Sequence, residues 1–151
     1  MYNGIKFGKG WIEVAQLKKV EEFTVEITSL VAQCVYNPTD DKMKDIISLY
    51  ESDSHLKLYA YYDGERVVAI IGLHTKSLDK IAVIRHIAVQ QEVRSKGFGR
   101  RLVNEILSLH SVSSIQAETD KDAVNFYRSC GFEVKSLGEL YPGVERFLCI
   151  K

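Results

Sequence analysis

Gly97 and Gly99 stand beside Lys96 and Arg100, where an apolar, strand-like run (residues 81–89) gives way to an amphipathic, helix-like one (residues 100–109). A glycine-bearing turn that opens a helix could hold an anion. Glycines let a ligand approach the backbone, and the first amides of the helix have no intrahelical partner and lie at the positive end of its dipole. Phosphate oxygens suit such a place. Arg94, Lys96, Arg100 and Arg101 concentrate positive charge here, although the whole chain balances 20 basic against 20 acidic residues. The same residues admit a plainer reading, a tight turn with a solvated basic face.

The string is neither of two better-known phosphate loops. No Gly followed by four residues and Gly-Lys-Ser/Thr occurs, so a P-loop is excluded. A dinucleotide fingerprint needs three glycines in register; only Gly97 and Gly99 are.

A second segment bears on the first. In residues 119–132, Thr119 or Asp120 can cap a short helix on which Ala123, Phe126, Tyr127 and Cys130 share a face, and Gly131 can end it in the left-handed conformation. Arg94-x-x-Gly97-x-Gly99 after a strand, followed by this helix with its aromatic pair and then Gly131-Phe132, resembles the GNAT family of N-acetyltransferases. The resemblance is carried mainly by residues 81–135.

That resemblance implies acetyl-CoA as cosubstrate, with no metal. It assigns cofactor contacts to Ile87, Ala88 and Val89 on the strand, to Arg94, Ser95, Lys96, Gly97, Phe98, Gly99 and Arg100 in the loop, and to Asp120 and Phe126 beyond it. Two parallel strands would splay into a wedge for the pantetheine arm, whose amides the Ile87 and Val89 backbones would bond. Tyr127 corresponds to the family's usual acid, its hydroxyl protonated at neutrality; a packed aromatic is the alternative.

The base departs from the family pattern. Many members carry glutamate where this chain has Arg85, and a guanidinium cannot accept a proton. Glu118, His86, His74 or ordered water remain for that role. His86 would point to the opposite sheet face from Arg85 unless a β-bulge re-aims it. Glu118 could instead bind the acceptor's amine. Arg85, and with it His74, is assigned to the acceptor side; Arg85 could recognise a carboxylate on the acceptor or pair with Glu118 across the strands.

Composition narrows the remaining classes. With 151 residues, 46% of them hydrophobic, one domain spanning residues 1–151 can bury its own core. The absence of an apolar run near membrane-spanning length and of a signal-peptide pattern gives the expectation of a cytoplasmic protein without membrane association. Neutral overall charge argues against nucleic-acid binding. Cys34, Cys130 and Cys149 are odd in number and widely spaced, which fits reduced thiols. His55, His74, His86 and His110 show no metal-ligand spacing.

The elements that must position these residues follow from periodicity. A strand is expected over residues 11–15, then a long amphipathic helix carrying Leu17, Val20, Phe23, Ile27, Leu30, Val31 and Cys34, stopped by Asn37-Pro38. Thr39 or Asp40 can cap a second helix through Tyr50. Residues 55–62 and 66–75 read as strands joined at Asp63-Gly64, with a turn at 77–80 before the strand at 81–89. A helix to about His110, a strand at 114–119, the short helix, and strands at 132–137 and 144–150 complete the chain. This pattern predicts an α/β (α+β) protein with a mixed sheet of six to seven strands and helices on both faces, in agreement with the acyl-CoA N-acyltransferase fold that the resemblance implies.

The expected function is transfer of acetyl from acetyl-CoA directly to a primary amine of a small molecule or peptide. The alternative is a non-catalytic acyl-CoA-binding regulatory module, kept open by Arg85. Similar proteins are often homodimers, and the resemblance admits one here.

Overall fold

A computed structural model describes residues 4–7, 10–13, 16–76, 78, 80–109 and 112–151, with side chains from residue 16 onward except those of residues 76 and 109. Residues 14–15 of the expected first strand, 77 and 79 of the expected turn, and His110 lie outside the described residues.

Strands β1 (Gly4–Phe7) and β2 (Gly10–Glu13) pair as a separate antiparallel hairpin. The other seven form one mixed sheet: β3 (Gln16–Lys19), β4 (Leu56–Asp63), β5 (Arg66–Lys76), β6 (Ile81–Val89), β7 (Ser114–Thr119), β8 (Glu133–Tyr141) and β9 (Val144–Ile150). Their spatial order is β3-β4-β5-β6-β7-β9-β8. All neighbours are antiparallel except β6 and β7. The expected mixed sheet with helices on both faces is what the chain forms.

One sheet face packs on α3 (Phe98–Leu109) and α4 (Val124–Ser129), burying Leu102, Val103, Ile106, Val124, Tyr127 and Cys130 with Ile71, Ala82 and Ile84 of the strands. The opposite face packs on α1 (Val25–Ala32) and α2 (Asp40–Ser52), through Ile27, Leu30, Val31, Met43 and Tyr50. Thr39 caps α2 by accepting from the Lys42 amide at 3.3 Å, as its position suggested.

The long first helix does not form. Residues 16–19 instead pair with Tyr59–Tyr62 of β4, and α1 begins only after Thr24, whose Oγ1 accepts from the Ile27 amide. Packing explains the misreading. Leu17 packs against the α3/α4 core and Val20 belongs to the α1/α2 core, so residues at helical spacing serve opposite sides of a sheet, which one helical stripe could not do.

Two irregularities position the centre of the molecule. Gly72 pairs with His86 but Leu73 with Ile84, so Arg85 is an extra residue in β6. That bulge reverses the alternation: Ala82 and Ile84 face the α3/α4 core, whereas Ala88 faces the α1/α2 core. The second is the short parallel pairing. β6 and β7 are in register only over Ile81–Val83 and Ser114–Gln116, after which β7 continues against β9 alone.

Candidate active site

Beyond Val83 and Gln116 the sheet has a gap in its middle, and the β6 backbone on that side is open. The Gln90 amide donates to the Val68 carbonyl at 2.8 Å, which fixes the hydrogen-bonding phase of the β5/β6 ladder. Alternate residues of an antiparallel pair turn their amides and carbonyls outward. Ile87 and Val89 therefore turn away from β5 toward the gap. Their carbonyls are taken: the Cys34 thiol donates to Ile87 O at 3.2 Å, and Arg94 Nε donates to Val89 O at 3.0 Å. Their N–H groups have no acceptor among the described residues.

At the end of β6 a 3-10 turn, Gln91–Val93, precedes the glycine loop. Ser95 (φ 64°) and Gly97 (φ 84°) both take the left-handed conformation. The first helical bond of α3 is the Arg101 amide to the Gly97 carbonyl, so the amides of residues 97–100 precede it, and no side chain among the described residues caps them. α3 thus starts at Phe98, two residues before the apolar periodicity indicated. Lys96 and Arg100 are exposed beside this turn. Arg94 is committed elsewhere: besides Val89 O it donates to Gln33 Oε1 at 3.0 Å, tying the end of α1 to the loop. Ala88 is buried on the α1/α2 side, and Phe98 lies edge-on to Tyr61.

The two glycines do different work. A Cβ on Gly97 would meet nothing within 4 Å, and its requirement is the positive φ. A Cβ on Gly99 would lie 2.5 Å from the Phe126 ring, so Gly99 lets α3 pack against α4. Phe126 is thereby placed at the loop by steric contact. Asp120 stands before α4, its Oδ1 accepting from the Asp122 and Ala123 amides at 2.9 and 3.1 Å. It shapes an Asx turn at the end of β7, while Ala123 occupies the cap position.

Tyr127 is only 6% exposed, wedged edge-on between Phe126 and Phe132, and its hydroxyl has no partner among the described residues. Burial pushes its pKa well above the ordinary tyrosine value, reinforced by nearby Cys149 and Cys34. It stays a neutral donor at any physiological pH.

On the α1/α2 side the bulge turns His86 toward Tyr50, whose Oη lies 2.6 Å from His86 Nδ1. Burial, and then the Arg85 charge, lowers the His86 pKa. Arg85 is exposed and forms no ion pair among the described residues, so the pairing with Glu118 that the sequence allowed is not made. Ile115 and Ala117 face the α3/α4 core, which turns Glu118 to the other face, the side of Arg85 and His86. His74 lies apart from this group, 3.6 Å from Asp53 Oδ2 and beside His55.

Sequence reading missed Tyr50, Gly72 and Cys34. Nothing in the spacing of Tyr50 distinguishes it from the other apolar residues of α2; only the bulge opposite Gly72 reveals its partner.

An open-edged strand beside a gap, an uncapped helix start and a buried tyrosine whose hydroxyl has no partner among the described residues are the features that meet here. The chain belongs to the GNAT acetyltransferase family: the model of the acetyltransferase (GNAT) domain matches residues 54–134. No curated protein matches it in sequence. Among solved structures it is similar to an aminoglycoside 6'-N-acetyltransferase complexed with coenzyme A, at 12% identity and TM-score 0.71, covering 90% of this chain and 96% of that one. It is also similar to a Bacillus subtilis acetyltransferase in complex with CoA, at 19% identity and TM-score 0.65, covering 90% and 97%. A spermidine N-acetyltransferase variant from Vibrio cholerae matches at 17% identity and TM-score 0.69, covering 91% and 92%. Among the described residues, no group of three or more His, Cys, Asp or Glu side chains could hold a metal, and no helix is long and apolar enough to cross a membrane.

Proposed function

We propose that the protein transfers acetyl from acetyl-CoA directly to a primary amine of a small molecule or peptide. The observation that carries this reading is the parting of β6 from β7 after Val83 and Gln116, with the Ile87 and Val89 amides facing the gap and the bare start of α3 at its end. Acetyl-CoA supplies an activated acyl group; every other requirement falls on this chain. The amides of residues 97–100, with Lys96 and Arg100, would hold the pyrophosphate. The Ile87 and Val89 N–H groups would bond the pantetheine carbonyls, and the Ile87 amide would face the thioester oxygen. Because both carbonyls are already engaged, the arm meets donors here and few free acceptors.

Tyr127 donates to the departing sulfur. Its raised pKa favours donation of a hydrogen bond over full proton release. Glu118 takes the acceptor's proton, through water, from the face on which Arg85 and His86 lie. His86 is the less available proton acceptor, since its Nδ1 is engaged by Tyr50 and burial lowers its pKa. His74, held by Asp53, is left to the periphery of the acceptor site.

The test is thermal shift with coenzyme A, followed by thiol release from acetyl-CoA across a panel of amines. Saturating coenzyme at 100 times its Kd should add about 2.7 kcal/mol of apparent stability. No shift at millimolar coenzyme defeats the reading. A shift without thiol release for any amine favours a non-catalytic acyl-CoA-binding module, the reading that Arg85 in place of a glutamate supports.

A further inference from the structure

The bulge at Arg85 brings two hydrogen-bond donors to one side of the gap and leaves both without acceptors among the described residues. Arg85 and His86 are adjacent in a strand, so regular alternation would send them to opposite faces. Alternation from the core-facing Ile84 sends Arg85 to the α1/α2 face, and the extra residue turns His86 to the same face, where it meets Tyr50. Arg85 has no ion-pair partner among the described residues.

The protonation of His86 follows from Tyr50. Tyr50 is 9% exposed, and His86 is the one partner its hydroxyl has among the described residues. If the imidazole donated from Nδ1, the phenol proton would be buried without an acceptor, an outcome buried donors avoid. Tyr50 therefore donates, Nδ1 accepts, and the neutral ring carries its proton on Nε2. That N–H has no acceptor among the described residues. Across the gap, on the same face, stands the exposed carboxylate of Glu118.

We propose that Arg85 and His86 form a recognition site for a carboxylate on the acceptor, so that the preferred acceptors are amino acids or short peptides bearing both an amine and a carboxylate. This rests on the acetyltransfer reading above. Glu118 faces the ammonium and Arg85 with His86 the carboxylate, a charge pattern complementary to a zwitterion. A polyamine would meet the Arg85 charge with nothing to offset it. Tyr50 acts as a positioning residue by fixing the imidazole tautomer.

The experiment compares free amino acids and dipeptides with their C-terminal amides, and both with spermidine, by thiol release at saturating acetyl-CoA. The acids should show kcat/KM higher than their amides by roughly tenfold to a hundredfold, the worth of a charge-assisted hydrogen bond. Arg85→Gln should collapse the acid-to-amide ratio toward unity, and Arg85→Lys should retain part of it. Tyr50→Phe should lower the ratio while leaving the KM for acetyl-CoA in place, which a general loss of structure would not do. Equal use of acids and amides, or preference for spermidine, overturns the proposal and leaves acetyltransfer intact.

A binding arm makes the two failures separable. With coenzyme A present, N-acetylated amino acids should raise the melting temperature of the wild type, their amides should not, and Arg85→Gln should abolish the difference. That result without turnover of any amine would retain the carboxylate site and defeat catalysis. Absence of acid-specific stabilisation defeats the site.

Discussion

Tyr50 reaches His86 through space that Gly72 leaves open: Oη lies 2.6 Å from Nδ1, and a Cβ on Gly72 would overlap the same hydroxyl. Three elements, α2, β5 and β6, are thus locked by one hydrogen bond that depends on a missing side chain. Gly72→Ala should displace the Tyr50 ring and destabilise the fold by about 1–3 kcal/mol, the usual cost of overpacking. Urea denaturation measures it, and Tyr50→Phe in the same chain should recover part of the loss. A Gly72→Ala protein as stable as the wild type would mean that the ring has free room.

The loop glycines should separate by mechanism. Gly97→Ala places an L-residue at φ 84° with open space around it, so it should cost about 1 kcal/mol of backbone strain. Gly99→Ala must push the Phe126 ring away from a Cβ 2.5 Å distant, shifting α4 against α3. It should lower the melting temperature more than Gly97→Ala does. The opposite order would mean that Phe126 yields freely and that the left-handed turn is the stiffer constraint.

Tyr127→Phe should lower kcat without changing the KM for acetyl-CoA by more than about twofold, because the hydroxyl makes no hydrogen bond among the described residues whose loss would reshape the site. Stability should hold: the ring stays packed between Phe126 and Phe132, and the hydroxyl that is removed makes no hydrogen bond among the described residues. Loss of stability together with kcat would reveal a structural role for the hydroxyl instead.

His86 also sets a pH dependence. Burial lowers its pKa in the folded chain, so below the ordinary value of about 6.5 the unfolded state takes up the proton first. The contribution is absent at higher pH and grows as an opposing term as pH falls through about 6.5 toward the lowered folded value. Wild-type stability should therefore drop over this range more steeply than that of His86→Gln. The difference in slope is the readout, since His55 and His74 beside Asp53 are common to both proteins. Parallel slopes would place His86 in an environment like water.

The loop and the two helices beside it were legible because their constraints are local. A glycine-bearing turn after a strand and an aromatic pair at helical spacing leave marks within a few residues of each other, so the turn at Gly97 and the short helix carrying Phe126 and Tyr127 could be placed from their neighbours, while the roles given to those residues came from the family resemblance. On the face of Arg85 and His86 the residues and the chance of a bulge could be named, but not the arrangement itself, because that geometry is set by pairing between distant segments. The bulge that aligns His86 with Arg85 exists only relative to β5, and the Tyr50 contact joins residues 36 positions apart. The failed helix over residues 17–34 has the same cause. Strand pairing with β4 outweighs local periodicity when successive apolar residues find cores on opposite sides of the sheet.

Cys34 provides a test of how dry the gap is. Its side chain is open at the surface, yet the surrounding protein pushes the thiol up to about 11. A thiol must ionise to react, and a free cysteine has a pKa near 8.5. At neutral pH, alkylation by iodoacetamide should therefore run roughly a hundredfold more slowly than for a free cysteine, and the rate should still be climbing above pH of about 9. Cys130 and Cys149 are buried, so a single adduct in the intact mass reports Cys34. Because the thiol donates to the Ile87 carbonyl beside the proposed pantetheine path, coenzyme A should slow the reaction further. Rapid alkylation at neutral pH, unaffected by the coenzyme, would show that water fills the region between Cys34 and β6 and that the arm does not pass it.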